Sequence, residues 1–250
     1  MKKFVITGAG QGIGFELVKQ LLVQGHFVIW NELDAQVFDE ASKKLKQLGL
    51  NKFIGIQADA ASEAFLTELA KVLQSSPGEL AGLVCNAGIT TFGDFWTYTK
   101  ASMDQILRVN LSGTFFLIQT VARFLKDHNL SGSIVVMSSV TGHQAHPDLA
   151  AYGMTKAALN QLVQNLVIDL SPFQIRINAV SPGATITERT LKNTEYQHDW
   201  AEITPLGKAA DVSDIADTTL FFLSEQSKHI TGQTLVVDGG WTSISPPPRH

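Results

Sequence analysis

The chain has 250 residues, 44% of them apolar and 17% charged, with a formal net charge of −4. That is enough for one large α/β domain with a substantial core. It offers no basic field for nucleic acid, and no apolar run approaches the roughly 20 residues of a membrane span. The single cysteine, Cys85, excludes an intramolecular disulfide and suits a reducing cytoplasm. Met1-Lys2-Lys3 leads into "FVIT" and then into glycines, without the longer apolar stretch of a signal peptide.

Short β-branched runs alternate with longer amphipathic ones along the whole chain. "KFVITG" reads as a first strand, followed by a helix through "GFELVKQLLVQG". "FVIWNE" is a second strand, with a helix over Ala35 to Leu48, and "FIGIQAD" a third, with a helix near Ser62 to Gln74. "LAGLVCNAG" is a fourth strand, and its Cys85 reads as a buried small hydrophobe rather than a reactive thiol. A long helix ends near Asp127, before a fifth strand, "SIVVMSS". "IRINAVSPG" and "TLVVDGG" are the sixth and seventh. Strands this apolar, separated by helices, predict a doubly wound parallel sheet covered on both faces. No repeat or linker divides the chain, so residues 1–250 form one domain. Its least regular stretch is 188–210, and the proline-rich tail 244–250 cannot be regular because three prolines adjoin.

"TGAGQGIG" lies between the first strand and its helix. Gly8, Gly12 and Gly14 permit a tight turn, close approach of a ligand to the backbone, and close packing of helix on strand. The helix start then presents free N–H groups to a diphosphate. With the acidic Glu32 about twenty residues further on, the pattern points to a dinucleotide. Further along, "YGMTK" sets Tyr152 and Lys156 four residues apart, on one face of a helix. That spacing also yields an ordinary surface Lys beside a half-buried Tyr. The chemical alternative is a cation that stabilises the phenolate, so that an acid with an ordinary pKa of about 10 can exchange protons near neutrality.

"TGAGQGIG", "NAG" at Asn86–Gly88, Asn110 in "RVNLSGTF", Ser139 in "MSSVTG", "YGMTK" and "SPGATIT" occur in register across essentially the whole chain. In order and spacing they resemble the short-chain dehydrogenase/reductase family, and the "ITGQTLVVDGGW" ending (Ile230 to Trp241) extends the likeness. Cys85 stands where many members have asparagine, and Thr185 where an aliphatic residue is more usual. The resemblance implies a Rossmann fold with a seven-stranded parallel sheet, interconversion of alcohols and carbonyls, and a catalytic set of Asn110, Ser139, Tyr152 and Lys156. Tyr152 would be the general acid/base, Lys156 would favour its phenolate and hold the nicotinamide ribose, and Ser139 would hydrogen-bond the reacting oxygen. Ser138 is the rival serine; the family's thirteen-residue interval to the tyrosine selects Ser139. Asn110, a poor helix former inside a helix, would hold a water that links Lys156 to solvent. Cofactor contacts are implied for Gly8, Gln11, Gly12, Ile13, Gly14, Glu32, Asp59, Ala60, Asn86, Ala87, Gly88, Tyr152, Lys156, Pro182, Gly183, Thr185 and Thr187.

Glu32 favours NAD over NADP, because a carboxylate at the end of the second strand accepts ribose hydroxyls and repels a 2′-phosphate. Neither Gln11 nor Leu33 supplies a cation for that phosphate, and Asp34 is the rival acid, facing water. His143 and His146 have no third partner at metal-binding spacing and read as loop residues at the substrate pocket. Phe92, Trp96 and Tyr98 line that pocket or pack elsewhere. The substrate is a secondary alcohol or ketone, such as a sugar or polyol; NADPH-dependent reduction of a 3-oxoacyl thioester is the enzymatic alternative, and a non-catalytic nucleotide-binding protein ranks below both. The resemblance also implies a homotetramer, paired through the helices around Met103–Lys126 and Tyr152–Leu170 and through the C-terminal segment, with "LFFL" (Leu220 to Leu223) and Trp241 either interface or core.

Overall fold

Each apolar run becomes a strand and each amphipathic run a helix in the computed structural model, which describes residues 1–245. In chain order these are β1 (Lys2–Ile6), α1 (Gly12–Val23), β2 (Phe27–Glu32), α2 (Ala35–Gln47), β3 (Phe53–Gln57), α3 (Glu63–Ser75) and β4 (Glu79–Cys85). Then follow α4 (Lys100–Leu107), α5 (Thr114–Asp127), β5 (Gly132–Met137), α6 (Ala150–Leu170), β6 (Ile175–Pro182) and β7 (Thr185–Ile186). The last elements are α7 (Tyr196–Ile203), β8 (Ala210–Asp211), α8 (Val212–Leu223) and β9 (Thr234–Val237).

The seven strands anticipated from the sequence form one parallel sheet, in the order β3-β2-β1-β4-β5-β6-β9. Alternate side chains feed two cores. On one face Val5, Ile29, Leu83 and Val136 pack against Leu69 of α3, Val121 of α5 and Val163 of α6. On the other, Ile6, Val28, Val84 and Val135 meet Leu17 of α1, Leu45 of α2 and Ile215 of α8. Each fully buried Leu or Ile contributes about 1.5–3 kcal/mol, and burial on both faces explains why the strands lack polar alternation. Polar side chains fix several helix starts: Asp34 accepts from Gln36 N and Val37 N, Ser62 from Phe65 N, and Thr99 from Ser102 N. Asp34 is thus a cap rather than a free surface acid.

The chain runs outward from β1 to β3 and then crosses back to β4, on the other side of β1. The sheet therefore opens a crevice between the carboxyl ends of β1 and β4, where such folds take their ligands.

Two local expectations are corrected, and one left open is decided. The long helix before β5 is not continuous: a π-helical turn, Arg108–Gly113, separates α4 from α5 and holds Asn110. Residues 188–210 contain regular structure, namely α7 and a 3₁₀ turn at Thr190–Lys192, and a two-stranded pair joins β7 to β8. The "LFFL" run belongs to α8, with Phe222 and Leu223 buried in the second core. Residues 246–250, most of the proline-rich tail, lie outside the described residues.

Candidate active site

The turn after β1 is shaped by glycines where a side chain has no room. Gly8 has φ +60°, a region that L side chains rarely adopt. A Cβ on Gly14 would lie 2.4 Å from Gly8 O and 2.7 Å from Asn86 Nδ2, so a glycine there lets α1 pack directly on the turn. Asn86 fastens the turn to β4, donating from Nδ2 to Thr7 O (3.1 Å) and Gly8 O (2.7 Å). Helix α1 starts at Gly12 with no capping bond from the Gln11 side chain, so its first N–H groups are available to an anion, and Gly12 N takes the Glu188 carboxylate.

These residues open onto a cleft of about 370 Å³ above the sheet crevice, lined by Gly8, Gln11, Gly12, Ile13, Glu32, Asp59, Ala60, Asn86, Ala87, Gly88 and Thr187. Glu32 Oε1 accepts from Leu33 N (2.8 Å) and Asp34 N (3.1 Å), and Oε2 accepts from Gly10 N (3.2 Å). Its carboxylate is fixed at the rim. Asp59 Oδ1 accepts from Ala61 N (2.9 Å), and Oδ2 pairs with Arg108 Nη1 at 2.7 Å. Burial alone would raise the Asp59 carboxyl, but those two hydrogen bonds and the Arg108 charge outweigh it and hold it below its ordinary value.

A second cavity, of about 210 Å³, adjoins the first. Ser139, Tyr152, Lys156, Pro182, Gly183 and Thr185 line it, and it shares Ile13, Asn86, Gly88, Thr187 and Arg189 with the cleft. Lys156 is 5% exposed; its Nζ donates to Met137 O at 2.8 Å and lies 5.4 Å from the centroid of the Tyr152 ring. The two serines are told apart by their partners. Ser138 Oγ donates to Lys156 O (3.1 Å), whereas Ser139 Oγ accepts from Thr141 Oγ1 (3.0 Å) and keeps its own proton for another acceptor. Asn110 and Gly14 line neither cavity and support them from behind. Asn110 Nδ2 donates to Ile89 O (3.0 Å) and Thr155 Oγ1 (3.1 Å), and Oδ1 accepts from Ile89 N (2.9 Å). The π turn is what aims this side chain across to α6.

None of Phe92, Trp96, Tyr98, His143 and His146 lines either cavity, so the two histidines do not border the pocket as the sequence suggested. Trp96 is 87% exposed, and Tyr98 hydrogen-bonds Thr91 instead. His143 Nε2 meets Ser181 Oγ at 2.9 Å, His146 Nδ1 meets Pro147 O, and no metal-holding cluster occurs among the described residues. Among the lining residues that carry no signal in the sequence are Arg108, Glu188, Arg189 and Tyr196. Burial pushes the Tyr196 phenol up, against the opposing pull of a hydrogen bond at Thr185 and the Arg189 charge. Only folding brings these groups to the pocket.

The residues fit a nicotinamide dinucleotide. The helix start faces the cleft, a fixed carboxylate, Glu32, stands at its rim, and Gly12 N already donates to a carboxylate, Glu188 Oε2, at 2.9 Å. A family model described as enoyl-(acyl carrier protein) reductase matches residues 8–242. The chain is 34% identical over 248 residues to 2-(S)-hydroxypropyl-CoM dehydrogenase 3 of Xanthobacter autotrophicus, covering 96% of each protein. It is 33% identical over 242 residues to a 3-oxoacyl-(acyl-carrier-protein) reductase of Staphylococcus epidermidis, covering 96% of this chain and 98% of that one. Among solved structures, a gluconate 5-dehydrogenase from Burkholderia cenocepacia, in complex with NADP and tartrate, superposes with a TM-score of 0.88 at 27% identity, over 98% of this chain and 96% of that one. Whole-length similarity of sequence and fold, joined to the glycine turn after β1, places the chain in the short-chain dehydrogenase/reductase family of nicotinamide-dependent oxidoreductases.

Proposed function

We propose that the protein transfers a hydride between NAD(H) and a secondary alcohol or its ketone, with Tyr152 exchanging the accompanying proton. The observation that carries this reading is the shared wall of the two cavities, which sets Tyr152, Lys156 and Ser139 beside the dinucleotide cleft. The cofactor supplies the hydride chemistry; the chain binds, orients and moves the proton. The Ser139 hydroxyl points a hydrogen bond at the reacting oxygen, where negative charge develops. The Tyr152 hydroxyl protonates that oxygen in reduction and takes the alcohol proton in oxidation. Lys156, tied by one N–H to Met137 O, keeps its other donors for the ribose and holds positive charge beside the phenol. Asn110 Oδ1 and Lys156 Nζ flank one point beside Gly88, at 3.4 and 3.7 Å from where a Cβ would stand. A water bridging these two groups passes the proton from Lys156 outward. Asn110 thus serves both as a brace and as one end of a relay.

NAD is the preferred cofactor in this reading. Three backbone N–H groups hold the Glu32 carboxylate where the adenosine ribose would lie, so a 2′-phosphate meets a fixed negative charge. The cation on that side, Arg108, is already paired with Asp59. The solved relative with NADP is the competing observation. For substrate, a sugar or polyol is one reading; the staphylococcal relative favours a second, reduction of a 3-oxoacyl thioester. The chain assembles as a tetramer through α5 and α6, whose outer faces expose Phe115, Phe116 and Ile168, and through its C-terminal segment at a second interface. It works in a reducing cytoplasm, with Cys85 buried as an inert thiol.

Screening the purified chain over sugars, polyols, hydroxysteroids and 3-oxoacyl esters, with NAD(H) and NADP(H) separately, tests the reading. Turnover of a secondary alcohol or ketone with NAD(H) is expected. Turnover with NADP(H) alone refutes the cofactor assignment, and turnover of 3-oxoacyl esters alone replaces the first substrate class with the second.

A further inference from the structure

The N-terminus of α1 already has an anion on it, and that anion comes from the chain itself. Gly12 N donates to Glu188 Oε2 at 2.9 Å, across 176 residues of sequence. The contact is backed by packing: the Thr187 methyl carbon lies 3.4 Å from where a Cβ on Gly12 would stand. With no side-chain cap on α1, Glu188 is the group that satisfies this N–H. A carboxylate gains there from the hydrogen bond and from the positive end of the helix dipole. A diphosphate entering the cleft needs the same N–H and the same field, and two anions cannot share them.

The neighbouring residue has the opposite charge. Arg189 lines both cavities, and among the described residues it has no acidic partner within 4.0 Å and donates no side-chain hydrogen bond. Both residues begin the segment that carries the Thr190–Lys192 turn and α7, whose Tyr196 also lines the catalytic cavity.

We infer that Glu188 is an internal occupant of the diphosphate position and thereby sets the affinity for the cofactor. When a dinucleotide enters, its diphosphate takes Gly12 N and expels the Glu188 carboxylate. Arg189 then turns to the phosphates. The inference rests on the reading of the cleft as a dinucleotide site. A latch that is closed most of the time raises the apparent Kd by the reciprocal of its open fraction. For an exposed carboxylate on a single N–H, that amounts to about threefold to tenfold.

Calorimetric titration of the full chain with NADH, ADP-ribose and adenosine tests this in the wild type and in Glu188→Ala, Glu188→Gln and Arg189→Gln. Glu188 is exposed, so the Ala and Gln variants should stay folded, with a melting temperature lowered by no more than about 2–4 °C for the lost contact. Glu188→Ala is expected to bind NADH and ADP-ribose about threefold to tenfold more tightly, with Glu188→Gln between it and the wild type. Adenosine, which lacks phosphates, should bind all four proteins alike. Arg189→Gln should weaken ADP-ribose and leave adenosine unchanged. Unchanged or weaker ADP-ribose binding by Glu188→Ala overturns the inference, and so does an equal tightening for adenosine, which would mean general charge repulsion. Unchanged binding by Arg189→Gln overturns the part given to Arg189. If the wild type binds neither NADH nor ADP-ribose, the dinucleotide reading itself fails.

Discussion

Glu32 makes its three hydrogen bonds to backbone N–H groups, and this bears on cofactor choice at the scale of one residue. A free Glu, longer than Asp, could swing away from an incoming 2′-phosphate; one held at both oxygens must break those bonds first, at about 1 kcal/mol each. Glu32→Ser combined with Leu33→Arg removes the fixed charge and adds a phosphate partner. The ratio of kcat/KM for NAD to that for NADP should fall by about 10²-fold or more, equivalent to roughly 3 kcal/mol. An unchanged ratio would show that discrimination lies elsewhere. Glu32 was legible as a strand-end acid because the β-turn-α pattern fixes where such a residue emerges. Its tethering was not, since Gly10, Leu33 and Asp34 become its donors only in the folded turn.

At the scale of elements, the π turn at Arg108–Gly113 is the feature that the sequence concealed. An apolar pattern with helical period continues through it, so the one-residue widening leaves no mark on composition. Its consequence is the placement of Asn110, whose side chain ties the Ile89 backbone to Thr155 of α6. Asn110→Leu should strip Ile89 of both partners and cost about 3 kcal/mol, read as a drop in melting temperature together with a loss of kcat. Retention of both would mean that the brace is dispensable.

The turn after β9 is tied in a similar way by Asp238, which accepts from Gly240 N (2.8 Å), Thr242 N (2.8 Å) and Thr242 Oγ1 (2.7 Å). Burial would raise this carboxyl, but the Thr242 hydroxyl and the backbone donors overcome that and hold it below its ordinary value of 3.8. A depressed folded value means that the stabilisation is complete above the unfolded value and is lost as pH falls through the folded one. Asp238→Asn should therefore be about 1 kcal/mol less stable than the wild type at pH 7. That gap should shrink in melts run progressively below pH 3.8; a gap constant with pH would assign it to packing.

For the whole molecule, the architecture was legible because seven apolar β-branched runs, the five central ones buried on both faces, alternate with helices of 3.6-residue periodicity. The candidate site was legible where a motif fixes local geometry, as Gly8–Gly14 and Tyr152–Lys156 do. It was hidden where distant segments meet, as when Glu188 reaches Gly12 and Arg108 reaches Asp59. The same limit applies to assembly, since an exposed Phe115 or Phe116 records an unpartnered face and not its partner. Light scattering at micromolar protein is expected to give four times the 27.2 kDa chain mass, and a monomer mass would contradict the tetramer.

The proton exchange at Tyr152 is the claim on which the functional account turns. Its most direct test is the turnover of Tyr152→Phe on the best substrate from the screen, measured alongside the Kd for NADH. Removing only the hydroxyl should lower kcat by about 10²–10⁴-fold while NADH affinity stays within about threefold; wild-type turnover in the variant would contradict the account.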